Sequence, residues 1–313
     1  MLRRRYVMRL RRPRFRGHRT PVATPGQSAR RLLLVGLLSV LLASAAWAGT
    51  TQTYVGQRIA DLILYGRFGA NPAVSDAAAS ILDLTGLASA ALVALGIFIF
   101  AFIRGGFGMA MAVALTLAGA NATAQGLKSL LERPNLIGNA TYVSGNSFPS
   151  GTVTLVASLG FVLILVAPRR LRTLAAIGAI VLTAAVGAST ITAGWHRLAD
   201  VVGADLISLG WAALVTAALV RAQGRMPRRT WTRGLGRRTA FVTAGTGLIV
   251  IGIGAVGLAI ALVDPAPLGR LIAARSTTPE AFVASIAIAT GTALIGTAAY
   301  VWAMRGVAVD LPG

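Results

Sequence analysis

The sequence predicts an all-α fold: a polytopic membrane helix bundle of about eight transmembrane helices, with a six-helix core and a C-terminal helical hairpin. Three observations carry that prediction. The 313 residues are 55% hydrophobic and only 12% charged, with a mean hydropathy of +0.72, values that exclude a soluble globular chain. The apolar residues fall in runs of roughly twenty, the length of one bilayer crossing. The arginines gather in short clusters at the ends of alternate runs, the pattern of positively charged cytoplasmic loops.

A formal charge of +21 would point to nucleic acid in a soluble domain. Here the basic residues bracket apolar runs, so membrane lipids are the expected contact and no nucleic-acid partner is expected. The chain has no cysteine, which excludes disulfides, thiolate metal sites and thiol catalysis. No metal or other cofactor is expected. Arginine displaces lysine almost everywhere, beside abundant alanine and glycine, a bias of GC-rich bacterial coding.

Residues 1–31 hold eleven arginines together with Pro13, Pro21 and Pro25, and predict a disordered cytoplasmic arm resting on anionic headgroups. His18 lies in this arm as a solvated bystander. Leu32 to Ala48 is the first span. Ala46-Trp47-Ala48 resembles a small-x-small cleavage site, but the basic region before it is longer than a signal peptide's, which favours an uncleaved anchor. In the mixed stretch from Gly49 to about Ser80, Ile59, Leu62, Ile63 and Leu64 suggest a short amphipathic helix in the membrane interface, or equally a lid. Ile81–Ile103 and Phe107–Leu127 follow as spans two and three, turning at Arg104-Gly105-Gly106. Spans four to six are Val153–Ala167, Leu174–Ser189 and Val201–Val220, and they complete a core over 32–222.

A basic cytoplasmic loop, 223–240, leads to the hairpin and short tail, 241–313, whose spans are Phe241–Val263 and Ala281–Met304. Glycines such as Gly247, Gly252 and Gly254 suit it to close helix packing, either onto the core or in an oligomer. Of the thirty basic residues, this topology leaves only Arg58, Arg67, Lys128, Arg133, Arg197, Arg270 and Arg275 outside. It therefore places both termini in the cytoplasm of a multi-pass plasma-membrane protein. Asp264, Arg270, Arg275 and Glu280 fall in the outer loop of the hairpin as a solvated turn.

The side chains able to do chemistry concentrate between Lys128 and Asp200, in three patches separated by spans. The patches can meet only at one membrane face, and the arginine count makes it the exterior. Lys128 is the only lysine, a compact ammonium with rotatable donors rather than a planar fork. It and Arg133 close one span, where both can reach an anion. Ser150-Gly151 opens the next span, so free N–H groups at a helix start can hold an oxyanion; Ser150 also serves as an ordinary helix cap. His196 and Asp200, four apart, share a helical face. A carboxylate accepting from one ring nitrogen leaves the other unprotonated and nucleophilic.

Lys128 with Arg133-Pro134, then Ser147-Phe148-Pro149-Ser150-Gly151, then Ser189, His196 and Asp200 in S-x6-H-x3-D spacing resemble the type 2 phosphatidic acid phosphatase (PAP2) superfamily. That family's signature is K-x6-R-P, P-S-G-H and S-R-x5-H-x3-D on a six-helix core. The resemblance covers roughly residues 30–222. It implies a phosphatase acting on a lipid phosphate or polyprenyl diphosphate, with His196 as the nucleophile that becomes a phosphohistidine and Asp200 orienting its ring. Lys128, Arg133, Ser150, Gly151, Thr152 and Ser189 would hold the phosphate.

Three departures qualify the match. Thr152 stands where the family has the histidine assigned as general acid, and a hydroxyl cannot replace an imidazolium as proton donor near neutral pH. Thr190 replaces an arginine, and Arg133 follows Lys128 after four residues, the position after six being Asn135. Arg197 could substitute for a missing cation if it turned inward; its default place is a solvated edge. Asp205 is expected near the exterior boundary, lining the site or hydrogen-bonded within the bundle. The alternative to an active enzyme is a catalytically silent lipid-phosphate binder or envelope scaffold. A transporter is disfavoured because ionisable residues are missing deep in most spans.

Overall fold

The computed structural model of the chain describes residues 25–138, 145–168, 170–223, 235–263, 279–305 and 307. Every regular element among them is helical: α1 (Pro25–Thr51), α2 (Tyr54–Gly66) with a 3-10 turn (Arg67–Gly69), α3 (Pro72–Leu84), α4 (Leu87–Leu130), α5 (Gly151–Val166), α6 (Arg172–Thr192), α7 (Leu198–Gln223), α8 (Leu235–Val263) and α9 (Pro279–Ala303). Among the described residues, six helices are long and apolar enough to cross a membrane, namely α1, α4, α6, α7, α8 and α9, while α5 is apolar but has 16 residues.

The 44 residues of α4 would measure about 66 Å if straight, more than twice the ~30 Å hydrocarbon core. The run is broken at Gly106 (φ 65°, ψ −165°), a left-handed conformation that glycine adopts without a Cβ clash. The break falls in the expected Arg104–Gly106 turn and leaves a crossing-length piece on each side.

Several expected boundaries move. The basic arm does not extend to residue 31: α1 already begins at Pro25, and Ser28 and Ala29 are buried. Proline suits a first helical position because its missing N–H would be unpaired there anyway. The remaining arm, residues 1–24, lies outside the described residues. The second span does not begin at Ile81, because Thr85 closes α3 with both its amide and its hydroxyl on Leu82 O, and α4 starts afresh at Leu87. The loop 223–240 is shorter than expected, since α8 begins at Leu235; its residues 224–234, and Asp264, Arg270 and Arg275, lie outside the described residues. Glu280 is exposed in the first turn of α9.

Helix α7 forms the centre, with α1, α4, α5 and α9 packed around it. Lipid is as apolar as leucine, so close fit rather than water exclusion holds such helices together. At Gly160 a methyl group would come within 2.8 Å of the Ala179 Cβ, which lets α5 and α6 touch backbone to backbone. The C-terminal hairpin divides. Helix α8 is mostly exposed and packs on α9, whereas α9 reaches the core. There the Tyr300 hydroxyl meets Thr216 Oγ1 at 2.8 Å and its ring meets Phe161 edge-on at 5.3 Å.

The two ends of the bundle differ. At one, the carbonyl of Arg305, just past α9, accepts from Ser28 Oγ and Arg31 Nη2, and Val307 O accepts from the buried Arg172. Cations there complement the negative end of a helix. At the other end, α2 folds back onto the bundle, with Gln57, Asp61 and Ile63 buried. This end gathers the close of α1, α4 and α6 and the start of α5 and α7, and with them all three polar patches.

Candidate active site

The α6–α7 corner presents the histidine. Helix α6 ends as Ala193 N donates to Ser189 O and Gly194 N to Ile191 O, and the Trp195 and His196 amides both donate to Thr190 O. Gly194 takes φ +73°, the left-handed residue that commonly ends a helix. Helix α7 then begins with the Asp200 carboxylate accepting from the Arg197 backbone N–H at 3.0 Å, a third-position cap that satisfies an otherwise unpaired donor.

The same oxygen, Asp200 Oδ2, lies 3.3 Å from His196 Nδ1 and accepts from Ser147 Oγ at 2.6 Å. A buried carboxylate with three convergent donors is a paired charge, and an ionised acceptor strengthens each bond. With Nδ1 carrying its proton toward Asp200, Nε2 keeps its lone pair. His196 lines a cavity of about 170 Å³ with Leu64, Gly145, Asn146, Ser147, Gly194, Trp195 and Arg197.

Arg197 departs from its expected solvated edge. It is 7% exposed and donates through Nη1 to Ser147 Oγ at 3.2 Å, so a guanidinium, a hydroxyl and a carboxylate form one chain beside the imidazole. A second arginine reaches the corner from outside the motifs. Arg67, after α2, donates to Ala193 O at 3.1 Å and lays its guanidinium against Gly194, where an added Cβ would collide with it.

The other two patches meet at the start of α5. Ser150 caps that helix through Val153 N and donates its own amide to Asp200 O at 2.9 Å. Lys128 Nζ and Gln125 Nε2 stand over Gly151, 3.3 and 3.4 Å from where its Cβ would be. Lys128 closes α4, whose negative end favours the ammonium, and it also faces the positive end of α5, a position in which a cation and free helix N–H groups can share one anion. Thr152 is half-buried in the first turn of α5.

Not every expected ligand arrives. Lys128, Arg133, Ser150, Gly151, Thr152 and Ser189 do not line the His196 cavity; Asp200 and the 145–150 segment connect the two halves of the site. Ser189 is buried in the last turns of α6, and Thr190 is buried with its hydroxyl on Gly187 O, so neither presents an oxygen to the cavity. Arg133 lies in the segment after α4, which the fully buried Gln57 clamps by donating to Pro134 O at 2.6 Å and accepting from Leu136 N at 3.2 Å. Asp205 does not line the cavity, and its buried Oδ2, which faces Gly296 of α9, has no hydrogen-bond partner among the described residues. Among the described residues no cluster of His, Cys, Asp or Glu could hold a metal ion.

Sequence reasoning missed Arg67, Gln57 and Gln125. Gln57 carried one usable signal: it shares the helical face of Ala60 and Leu64, a polar residue on an apolar stripe.

The PAP2 superfamily model matches residues 109–223, which contain Lys128, Ser147, His196 and Asp200. No curated protein matches the chain. The crystal structure of a transmembrane PAP2 type phosphatidylglycerolphosphate phosphatase from Bacillus subtilis is similar at 18% identity and a TM-score of 0.47, covering 63% of this chain and 99% of that one.

Proposed function

We propose that the protein is an integral membrane phosphatase of PAP2 type that hydrolyses a lipid phosphate or polyprenyl diphosphate through a phosphohistidine on His196. The observation that carries this reading is the Asp200 Oδ2 to His196 Nδ1 contact at 3.3 Å beside a cavity that the ring itself lines together with Asn146, Ser147 and Arg197. The carboxylate holds the tautomer in which Nε2 attacks phosphorus, and the P–O bond to the leaving group breaks as the P–N bond forms. Water then cleaves the P–N bond and releases inorganic phosphate. Cations and N–H groups stabilise the charge spread over the equatorial oxygens; Arg197 lines the His196 cavity and is the first candidate for that role, with Arg67 at the α6–α7 corner and Lys128 at the adjoining start of α5 as further cations.

The arginine-rich end of the bundle is read as cytoplasmic, which sets the His196 end at the exterior face and gives eight crossings with both termini inside. The core would then comprise 32–222, and the hairpin after it 241–313. With Thr152 in place of an acid, the leaving group must depart without a proton. A phosphate monoester leaves as a tolerable anion and an alkoxide does not, so diphosphates should be favoured over phosphatidate-type monoesters. Phosphate release by the purified wild type, compared with His196→Ala on both substrate classes, tests the reading: equal release by the two proteins removes His196 from the chemistry.

A second reading, a lipid-phosphate binder without turnover, is favoured by one observation. Lys128 and Arg133 stand outside the His196 cavity, and a binder needs the anion seat at α5 but no attack. Trapping of labelled phosphate on His196 separates the two, since only the enzyme forms the adduct.

A further inference from the structure

Beside the site runs a second cavity of about 480 Å³ in which apolar side chains predominate, lined among others by Val40, Trp47, Leu127, Phe148, Trp211 and Leu214. It exists because α1 and α4 each pack along α7 but scarcely touch one another, which leaves a trough between them floored by α7. From Val40 to Trp47, and from Ile207 to Leu214, it follows the helices for about 10 Å, two turns. Its mouth faces the lipid side, where the lining residues Ser44 and Ala48 are exposed. The hydroxyls inside are already used: Ser44 Oγ donates to Val40 O, and Thr123 Oγ1 accepts from Trp211 Nε1. Apart from the Trp47 indole at one end, a trough of this kind offers little to a polar ligand and suits hydrocarbon.

One end abuts the candidate site. Asn146, which lines the His196 cavity, donates through Nδ2 to Leu127 O at 3.2 Å and to Phe148 O at 3.0 Å, and both of those residues line the trough. Ser147 and Lys128, their chain neighbours, belong to the site. Trp47 Nε1, at this same end, is a buried donor without a partner among the described residues. The wall between hydrocarbon slot and phosphate chemistry is therefore one residue thick.

We infer that the trough between α1 and α4 is the seat of the substrate's hydrocarbon chain: a chain entering sideways from the bilayer lies along α7, and its phosphate reaches the Lys128–Ser147–His196 end. This rests on the lipid-phosphate reading above, and the occupant is the apolar chain of that same ligand. Trp47 Nε1 is placed to donate to an oxygen where head and chain join.

The test uses the full chain in detergent and a lipid phosphate with a photoreactive diazirine in its acyl chain, with labelled peptides mapped by mass spectrometry. Labelling is expected to concentrate on 40–48, 123–131 and 207–214, and to fall at least tenfold with excess unlabelled lipid phosphate. The uncharged lipid with the same chain should label these segments at least tenfold less. Ser44→Phe and Ala48→Phe, which plug the mouth from its exposed side, should each reduce labelling about tenfold, while Ala45→Phe, exposed but outside the trough, should not. Labelling spread evenly over exposed faces including α8, or equal in Ser44→Phe and Ala45→Phe, overturns the inference. So do cross-links joining two copies of the chain through these segments, which would make the trough a helix-docking face. Focused labelling in a protein that releases no phosphate and forms no His196 adduct would instead retain the trough and sink the hydrolase reading.

Discussion

Ser147 Oγ donates to Asp200 Oδ2 at 2.6 Å across 53 residues of sequence. Both α5 and α6 lie between them, so this bond records the closure of the bundle at the candidate site. It also couples chemistry to architecture: the same Oδ2 faces the imidazole, caps α7 and, through Ser147, communicates with the Arg197 guanidinium. Ser147→Ala removes one of three donors and frees Arg197. A hydrogen bond to a charged group contributes about 1.5–3 kcal/mol, so kcat should fall about tenfold to a hundredfold. KM for the lipid should stay within about twofold, because the contact orients the nucleophile rather than the chain. Steady-state phosphate release across substrate concentrations separates the two parameters; a rise in KM alone would move Ser147 to a binding role.

Asp200→Asn tests the orienting carboxylate without removing its bulk. An amide oxygen can still accept from Arg197 N and Ser147, but it has no charge to stabilise a developing imidazolium, and turning the amide over presents a donor to the ring. Comparable substitutions in histidine-based sites cost about 10⁴ in kcat, and a loss of at least a hundredfold is expected here. Thermal unfolding in the same detergent should move little, since the cap survives; a collapse of stability would mean that the residue's main role is structural.

Much of this site could be read from the chain before its shape was known, and for identifiable reasons. The four-residue interval from His196 to Asp200 brings the two side chains together by helix geometry alone, and span lengths suffice to bring three patches to one end. What could not be read depends on contacts between distant elements. Arg197 turns inward because Gly194 takes a left-handed turn and Ser147 waits opposite, and neither shows in local pattern. Arg67 and Gln57 come from a segment of mixed polarity whose role is defined only by what it covers. The stop at Thr85-Gly86 hides between two apolar stretches. That α9 packs on the core while α8 stays exposed was equally hidden, because hydropathy cannot distinguish a helix facing lipid from one facing other helices.

Lys128 supplies a separate prediction. Its ammonium stands over the amino end of α5 with Gln125 beside it, an arrangement that favours an anion. Lys128→Met keeps the stem and removes the charge. Affinity for inorganic phosphate or vanadate, measured by protection of the protein against thermal unfolding, should fall about tenfold. Lys128→Arg should recover only part of it, since a planar fork replaces a compact ammonium. The stability of the unliganded protein should change little in Lys128→Met, because repulsion from the start of α5 and attraction to the end of α4, each about 0.3–1 kcal/mol, oppose one another. Unchanged anion protection in Lys128→Met would remove this residue from the binding seat.

The Arg67–Gly194 contact gives another. Gly194 holds φ +73° with the Arg67 guanidinium packed where a side chain would begin. Gly194→Ala must bear a left-handed conformation costing roughly 1–2 kcal/mol and push Arg67 from the corner. A lower unfolding temperature is therefore expected together with reduced turnover. Arg67→Met at intact Gly194 isolates the charge: turnover should drop while the melting temperature falls less than in Gly194→Ala. If Arg67→Met leaves turnover unchanged, the guanidinium only braces the α6–α7 corner through Ala193 O.

Thr152 provides a gain-of-function prediction. It occupies the first turn of α5, half-buried, where the PAP2 signature has the histidine assigned to protonate the leaving group. Thr152→His restores a group with a pKa near working pH, and general acid catalysis contributes about 10² to 10⁴ where the leaving group needs a proton. The benefit is unequal by chemistry. A lipid alkoxide departs badly without a proton, whereas a phosphate monoester departs tolerably. Turnover of a phosphatidate-type monoester should therefore rise at least tenfold while that of a polyprenyl diphosphate changes by less than about threefold, shifting the preference toward monoesters. The gain should vanish above pH 7–8 as the new imidazole loses its proton, whereas the smaller diphosphate activity should not follow that decline. A parallel rise on both substrates would mean that the new side chain improves anion binding at the helix start, and that proton delivery is not what Thr152 withholds.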